Sequence, residues 1–232
     1  MNAAVVIATY NERENLAGLV AQIIERPGYR VIVVDDDSPD GTGAIADQLA
    51  APSSGRVTVI HRTGARGLGR SLVAGLKRAL EDGADLIFQM DADFSHDPKY
   101  LPAMAAATAG ADLVLGSRYL NGISVVNWPL HRIMLSSFAN RYIRAVTGLE
   151  PQDCTTGFRC WRREALTRIP LDGLISDGYA FLVEQLHLAR QLGCRVCEVP
   201  IIFVERREGR SKLSSNVLLE SAIVPWRLRL KR

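Results

Sequence analysis

The feature that most constrains this chain is an alternation, through its first half, of short apolar runs with longer amphipathic ones. Residues 3–9 are almost wholly apolar, as in a strand covered on both faces. Residues 14–24 then place Leu16, Leu19, Val20, Ile23 and Ile24 on one helical stripe. The alternation continues with strands predicted at 30–34, 57–60, 85–90 and 112–115, and helices at 42–49, 68–80 and 98–107. Asp97 supplies a cap for the last helix and Pro98 its first residue. This order predicts an α/β fold, a mostly parallel sheet with helices on both faces. Ligands of such sheets sit beyond the carboxyl ends of the strands. The polar segments 9–12, 35–40 and 91–97 each follow a strand, so they are expected along one edge.

The second half is less regular. Helices are predicted at 136–146, 179–192 and 216–230, the last bent at Pro225, with a short extended piece at 160–161 and a strand at 195–204. The polar, glycine-containing stretch 206–215 reads as a mobile loop. No repeat or low-complexity linker divides the chain. The expected organisation is one domain over 1–215, followed by a basic amphipathic segment, 216–232, near a membrane. With 47% hydrophobic residues the chain can bury a core. A net charge of +3, without a clustered basic face, argues against a nucleic-acid partner. Residues 3–8 are too short, and lack the basic lead-in, for a signal peptide, and no run has the roughly eighteen apolar residues of a membrane span. A cytoplasmic protein, peripheral on the cytoplasmic face of a membrane, is expected. Cys194 and Cys197 have the spacing of a zinc knuckle that Cys154 and Cys160 could complete, but they run into a strand without a knuckle glycine, so buried thiols are the preferred reading.

The chemistry-bearing residues lie in the three loops. Asp91 and Asp93 would repel each other at a strand end unless a divalent cation bridged them to phosphate oxygens; the alternative is a solvated loop that caps the next helix. Asp35 to Thr42 can accept hydrogen bonds from a base or ribose, or can form an ordinary Asp-Pro-Asp-Gly turn. Thr9 to Glu12 is a third candidate, or a simple helix cap. A dinucleotide-binding dehydrogenase would need G-x-G-x-x-G after the first strand, where this chain has Ala8-Thr9-Tyr10-Asn11-Glu12. Gly64, Gly67 and Gly69 come later with the wrong spacing and are expected to shape a loop leading into a helix. A Walker A lysine is also missing.

These motifs carry a resemblance. ATYNERENL at 8–16, VVDDDSPDGT at 33–42, GLG at 67–69, MDADFSHDP at 90–98, GSRY at 116–119, NWP at 127–129 and FVERREGRSKLS at 203–214 together resemble a family-2 glycosyltransferase of the GT-A fold, in its dolichol/polyprenol-phosphate mannose synthase branch. The resemblance spans nearly the whole chain. It implies that Ala8 (the family usually has Pro), Tyr10 and Glu12 hold the nucleotide, that Val34 and Asp36 contact the base, and that Asp91, Ala92 and Asp93 form the diphosphate site. Asp91 and Asp93 would bind Mg²⁺ or Mn²⁺, with Ser95 where some members supply a further ligand. Arg118, Arg206 and Lys212 would contact the donor, with Arg118 counted beside Asp91 and Asp93 as catalytic. Arg132 and Ser136 would grip the acceptor phosphate.

The implied reaction is inverting transfer of a hexose, mannose from GDP-mannose foremost, to a polyprenyl or dolichyl phosphate. A UDP-sugar donor such as UDP-glucose, with that or another acceptor, is the alternative. A catalytically silent scaffold is disfavoured, since the full set of acidic and basic residues is intact. A membrane surface and a separate membrane-spanning subunit are the implied partners. The acceptor phosphate is ionised at neutral pH and needs aiming more than deprotonation, which suits a chain with only four histidines.

Overall fold

The computed structural model describes residues 1–174, 176, 178–205 and 215–230. The chain opens with β1 (Ala3–Thr9), α1 (Arg13–Ile24), β2 (Tyr29–Asp35), α2 (Thr42–Ala50), β3 (Val57–His61), α3 (Leu68–Glu81), β4 (Leu86–Asp91), α4 (Leu101–Ala107) and β5 (Leu113–Ser117). It continues with β6 (Val125–Val126), α5 (Leu130–Thr147), β7 (Arg159–Arg162), α6 (Arg163–Leu166), α7 (Gly178–Gln191), β8 (Val196–Pro200), β9 (Phe203–Val204) and α8 (Ser215–Leu230).

The main sheet has the order β3-β2-β1-β4-β7-β5-β8. All its pairings are parallel except those of β7, which runs antiparallel between β4 and β5. The parallel strands therefore end at one edge, with Thr9 beside Asp35 and Ala8 beside Asp91. The reversal of β7 has a functional consequence. It brings the segment before that strand, not after it, to the same edge.

Side-chain alternation along β1 explains the layering. Ala4 and Val6 face a core formed with α3 and α7, including Leu76, Trp161 and Phe181. Val5 and Ile7 face a second core with Leu16, Leu19, Phe88 and Leu101. Cys154 and Cys194 lie in the first core, Cys160 in the second and Cys197 packs against the second, so the four thiols do not converge. Burial pushes the Cys154 thiol up to about 12.

Two predicted elements are corrected. The helix expected at 136–146 begins at Leu130, directly after Pro129. Its first turns were hidden because Leu130, Met134 and Phe138 face outward, so the apolar stripe does not mark a buried face. The strand expected at 195–204 is broken after Pro200: β8 joins the main sheet, whereas β9 pairs with β6 in a separate ribbon. The C-terminal helix buries Val224 and Leu228 in the first core and exposes Ile223, Trp226 and Leu230.

Helix α3 crosses β1 and β2 at Gly75, where a Cβ would lie 2.3 Å from Val6 Cγ1 and 2.9 Å from Val34 Cγ2. Gly75→Ala is expected to destabilise the fold by about 1–3 kcal/mol through overpacking. A lower urea midpoint, partly restored by Val6→Ala in the same chain, checks this; an unchanged midpoint would show that the interface relaxes freely.

Candidate active site

A cavity of about 580 Å³ opens at the carboxyl edge of the sheet. Loops after β1, β2 and β4 form its floor, and each turns through a left-handed non-glycine residue: Asn11, Asp37 and Phe94. Phe94 has no polar side chain to favour this conformation, which costs about 1–2 kcal/mol for an ordinary residue. Such outliers persist where the surrounding structure holds them, commonly at functional sites.

The first two loops are tied together. The Asn11 N–H donates to Ser38 Oγ at 3.1 Å and the Glu12 N–H to Thr42 Oγ1 at 3.0 Å. Asp35 is turned inward, accepting from Thr9 Oγ1 and from the Ser38 hydroxyl and N–H. Asp36 lines the cavity and accepts from Arg62 Nη1 and, at 2.7 Å, from the Gly67 N–H. The glycine segment thus shapes a wall, and Arg66 on that wall lies 4.7 Å over the Tyr10 ring and donates to its hydroxyl at 2.9 Å. Ala8, Tyr10 and Glu12 line the cavity. Val34 does not. It is fully buried beneath Gly75, because alternate residues of a strand face opposite sides and Val34 faces the core.

Asp91, Ala92 and Asp93 all line the cavity. Asp93 is buried, and its Oδ1 accepts from the Ser95 N–H at 3.1 Å and from its hydroxyl at 2.5 Å. Ser95 therefore orients Asp93. The Asp91 side chain is 46% exposed, and a Cβ on Gly157 would come within 3.2 Å of its Oδ1, so glycine keeps that approach open. His96 Nδ1 accepts the Asp91 N–H at 3.0 Å, which leaves the proton of a neutral ring on Nε2, while the ring stacks on Phe158. Among the described residues no group of three or more His, Cys, Asp or Glu is placed to hold a metal. Asp91 and Asp93 would hold a divalent cation, which would supply positive charge beside a bound diphosphate.

Arg118, just beyond β5, is buried and held by Asp153 through its N–H at 3.1 Å, Nε at 2.7 Å and Nη2 at 2.7 Å. Burial alone would raise the Asp153 carboxyl, but the charge and hydrogen bonds of Arg118 outweigh it and hold it below the usual carboxylate range. Beneath this pair the fully buried Arg159 donates to the carbonyls of Cys154 and Thr156 and to Gln185 Oε1, pinning the segment. Burial pushes the Arg159 guanidinium down to about 10. Arg118 lines the cavity while Asp153 engages its Nε and Nη2.

A smaller groove of about 130 Å³ adjoins the cavity and is lined mainly by apolar residues, among them Leu135, Ala139, Ile143 and Val183. Arg118, Trp128, Arg132, Thr155 and Tyr179 line both spaces. Arg132 lies 4.1 Å over the Trp128 ring and is ion-paired with Glu205. Ser136, one turn further along α5, accepts from the Tyr119 hydroxyl at 2.7 Å and lines only the groove. Of the loop expected to be mobile at 206–215, residues 206–214, with Arg206 and Lys212, lie outside the described residues, and Ser215 opens α8. Asp153, Thr155, Gly157, His96, Arg66 and Phe203 were not singled out from sequence. The run from Asp153 to Gly157 carries a signal, but it precedes an antiparallel strand instead of following a parallel one.

Asp153→Asn leaves the buried Arg118 charge without its partner and is expected to cost about 3–5 kcal/mol. Because the folded Asp153 titrates below its ordinary 3.8, its contribution is complete above about pH 4 and fades as pH falls through the lower folded value. Denaturant midpoints of wild type and variant should therefore differ at neutral pH and converge in strong acid; a gap that persists unchanged would contradict this.

The glycosyl transferase family 2 model matches residues 4–169. The polyprenol monophosphomannose synthase of Mycolicibacterium smegmatis is 44% identical over 229 residues, 97% of this chain and 86% of that protein. The undecaprenyl-phosphate mannosyltransferase of Micrococcus luteus is 43% identical over 224 residues, 96% of this chain and 92% of that one. The dolichol-phosphate mannosyltransferase of Pyrococcus furiosus is 36% identical over 231 residues, 95% of this chain and 61% of that one. Among solved structures, glucosyl-3-phosphoglycerate synthase from Mycobacterium tuberculosis, in complex with Mn²⁺, UDP and glucosyl-3-phosphoglycerate, superposes with a TM-score of 0.70. It is 19% identical, with 98% of this chain and 79% of that one covered, a likeness of fold. Matched by the family model over more than half its length, and by relatives over nearly all of it, the chain belongs to glycosyl transferase family 2 and is a glycosyltransferase with the GT-A fold.

Proposed function

We propose that the chain transfers mannose from GDP-mannose to a polyprenyl phosphate, with inversion at the sugar carbon. The observation that carries this reading is the junction at Arg132, where a cavity carrying two carboxylates meets a more apolar groove. The names of the relatives support the choice of mannose and of a polyprenyl phosphate. In this reading the nucleotide lies against Ala8, Tyr10, Glu12 and Asp36, and its diphosphate lies over Asp91 and Asp93. Those two carboxylates would hold Mg²⁺ or Mn²⁺, which supplies charge to offset the leaving diphosphate. The family resemblance adds Arg206 and Lys212 to the donor contacts. The acceptor phosphate, already ionised, is aimed by Arg132 with Ser136 nearby, so no side chain has to remove a proton. Arg118 fixes the wall where the two substrates meet.

The lipid would arrive from a membrane surface. Helices α5 and α8 both line the groove. Leu130, Met134 and Phe138, at helical spacing, are 71%, 64% and 67% exposed, and Ile223, Trp226 and Leu230 are exposed beside Arg227 and Arg229. Among the described residues no helix is long and apolar enough to cross a membrane. Exposed apolar and tryptophan side chains beside arginines suit the headgroup region of an anionic leaflet, the cytoplasmic one in this reading.

The test is transfer of labelled sugar to a short polyprenyl phosphate from a donor panel that includes GDP-mannose and UDP-glucose. Mannose transfer is expected with Mg²⁺ or Mn²⁺, lost in EDTA and lost in a folded Asp93→Ala variant. Transfer from UDP-sugars alone would overturn the donor, and full activity in EDTA would remove the metal. In a flotation assay with anionic liposomes, Met134→Asp combined with Phe138→Asp should weaken binding while leaving the melting temperature unchanged. Undiminished flotation would place the membrane contact elsewhere.

A further inference from the structure

We infer that Glu205 is a placeholder for the acceptor phosphate: it neutralises Arg132 while the groove is empty and gives way when a phosphomonoester arrives. The inference rests on the reading of Arg132 proposed above.

Two guanidiniums flank one indole. Arg118 lies 5.6 Å and Arg132 4.1 Å from the Trp128 ring centroid. Each has a carboxylate partner, but the two pairs are built differently. Asp153 is fully buried and takes three hydrogen bonds from Arg118, so that pair is permanent. Glu205 is 26% exposed and meets Arg132 through Oε2 alone, and Arg132 is itself 20% exposed. A partly hydrated, one-pronged pair is the exchangeable kind.

The backbone around Glu205 permits the exchange. Its N–H donates to the Val126 carbonyl at 3.0 Å, which extends the β6–β9 ribbon. Phe203, two residues earlier, packs edge-on to Trp128 at 5.2 Å and to His96 at 5.6 Å. The strand is therefore anchored independently of the Glu205 side chain, which can swing away without unpairing it.

Charge decides which anion wins. A phosphomonoester brings up to two negative charges and three oxygens to the guanidinium fork, against one charge from the carboxylate. A retained Glu205 would also repel the phosphate. A lipid alcohol has no charge with which to displace it. Glu205 therefore lowers apparent acceptor affinity by the fraction of time it occupies Arg132, and selects for a phosphorylated headgroup.

The test is steady-state kinetics of Glu205→Gln with farnesyl phosphate as acceptor and GDP-mannose as donor. The acceptor KM is expected to fall about two- to fivefold, the span of a partly exposed ion pair, with donor KM unchanged. In an Arg132→Ala background the same substitution should have no effect on acceptor KM. A rise in acceptor KM would show that Glu205 positions Arg132 instead, and an unchanged KM would show that it does not compete; either overturns the inference. If Arg132→Ala alone leaves acceptor KM unchanged, the reading of Arg132 fails first. A melting curve for each variant separates these outcomes from unfolding.

Discussion

Removing a guanidinium and a carboxylate from water costs several kcal/mol per ion unless each meets the other with its hydrogen bonds satisfied. Arg118 and Asp153 meet this condition through three contacts, and the site is arranged around them. The pair joins the end of β5 to the segment before β7 and so spans the one reversal in an otherwise parallel sheet. Arg159 holds the same segment from below. The wall they form is shared by the carboxylate-bearing cavity and the more apolar groove.

That shared wall suits a reaction between a water-soluble donor and a lipid-borne acceptor. The cavity offers carboxylates, hydroxyls and backbone at strand ends; the groove offers mainly aliphatic and aromatic surface. A charged headgroup can reach the first while its chain stays in the second. Catalysis of this kind rests on positioning and on neutralising the leaving group, so it needs rigid walls more than a titrating base. The buried ion pair and His96, stacked on Phe158, supply such walls.

The parts of this arrangement that follow strand direction could be read from sequence. An apolar run ending in polar residues marks the carboxyl end of a buried strand, so Thr9, Asp36, Asp91 and Asp93 were found with their loops. Asp153 escaped because its loop precedes a strand, and strand polarity is set by tertiary pairing. Val34, which the family resemblance pairs with Asp36, turns its side chain into the core by strand alternation. The start of α5 escaped because its apolar side chains point outward, against the rule that such residues mark a core. Arg118 and Arg132 look alike in sequence; their partners, one buried and one half-exposed, belong to distant segments.

The central claim of the proposed function is a single displacement, in which an oxygen of the acceptor phosphate bonds to the sugar carbon as the bond from that carbon to the nucleoside diphosphate breaks. Proton NMR of the purified polyprenyl-phosphate sugar reads the anomeric configuration. The account predicts complete inversion, a β-linked mannose from the α-linked donor. A product with retained α configuration would contradict it.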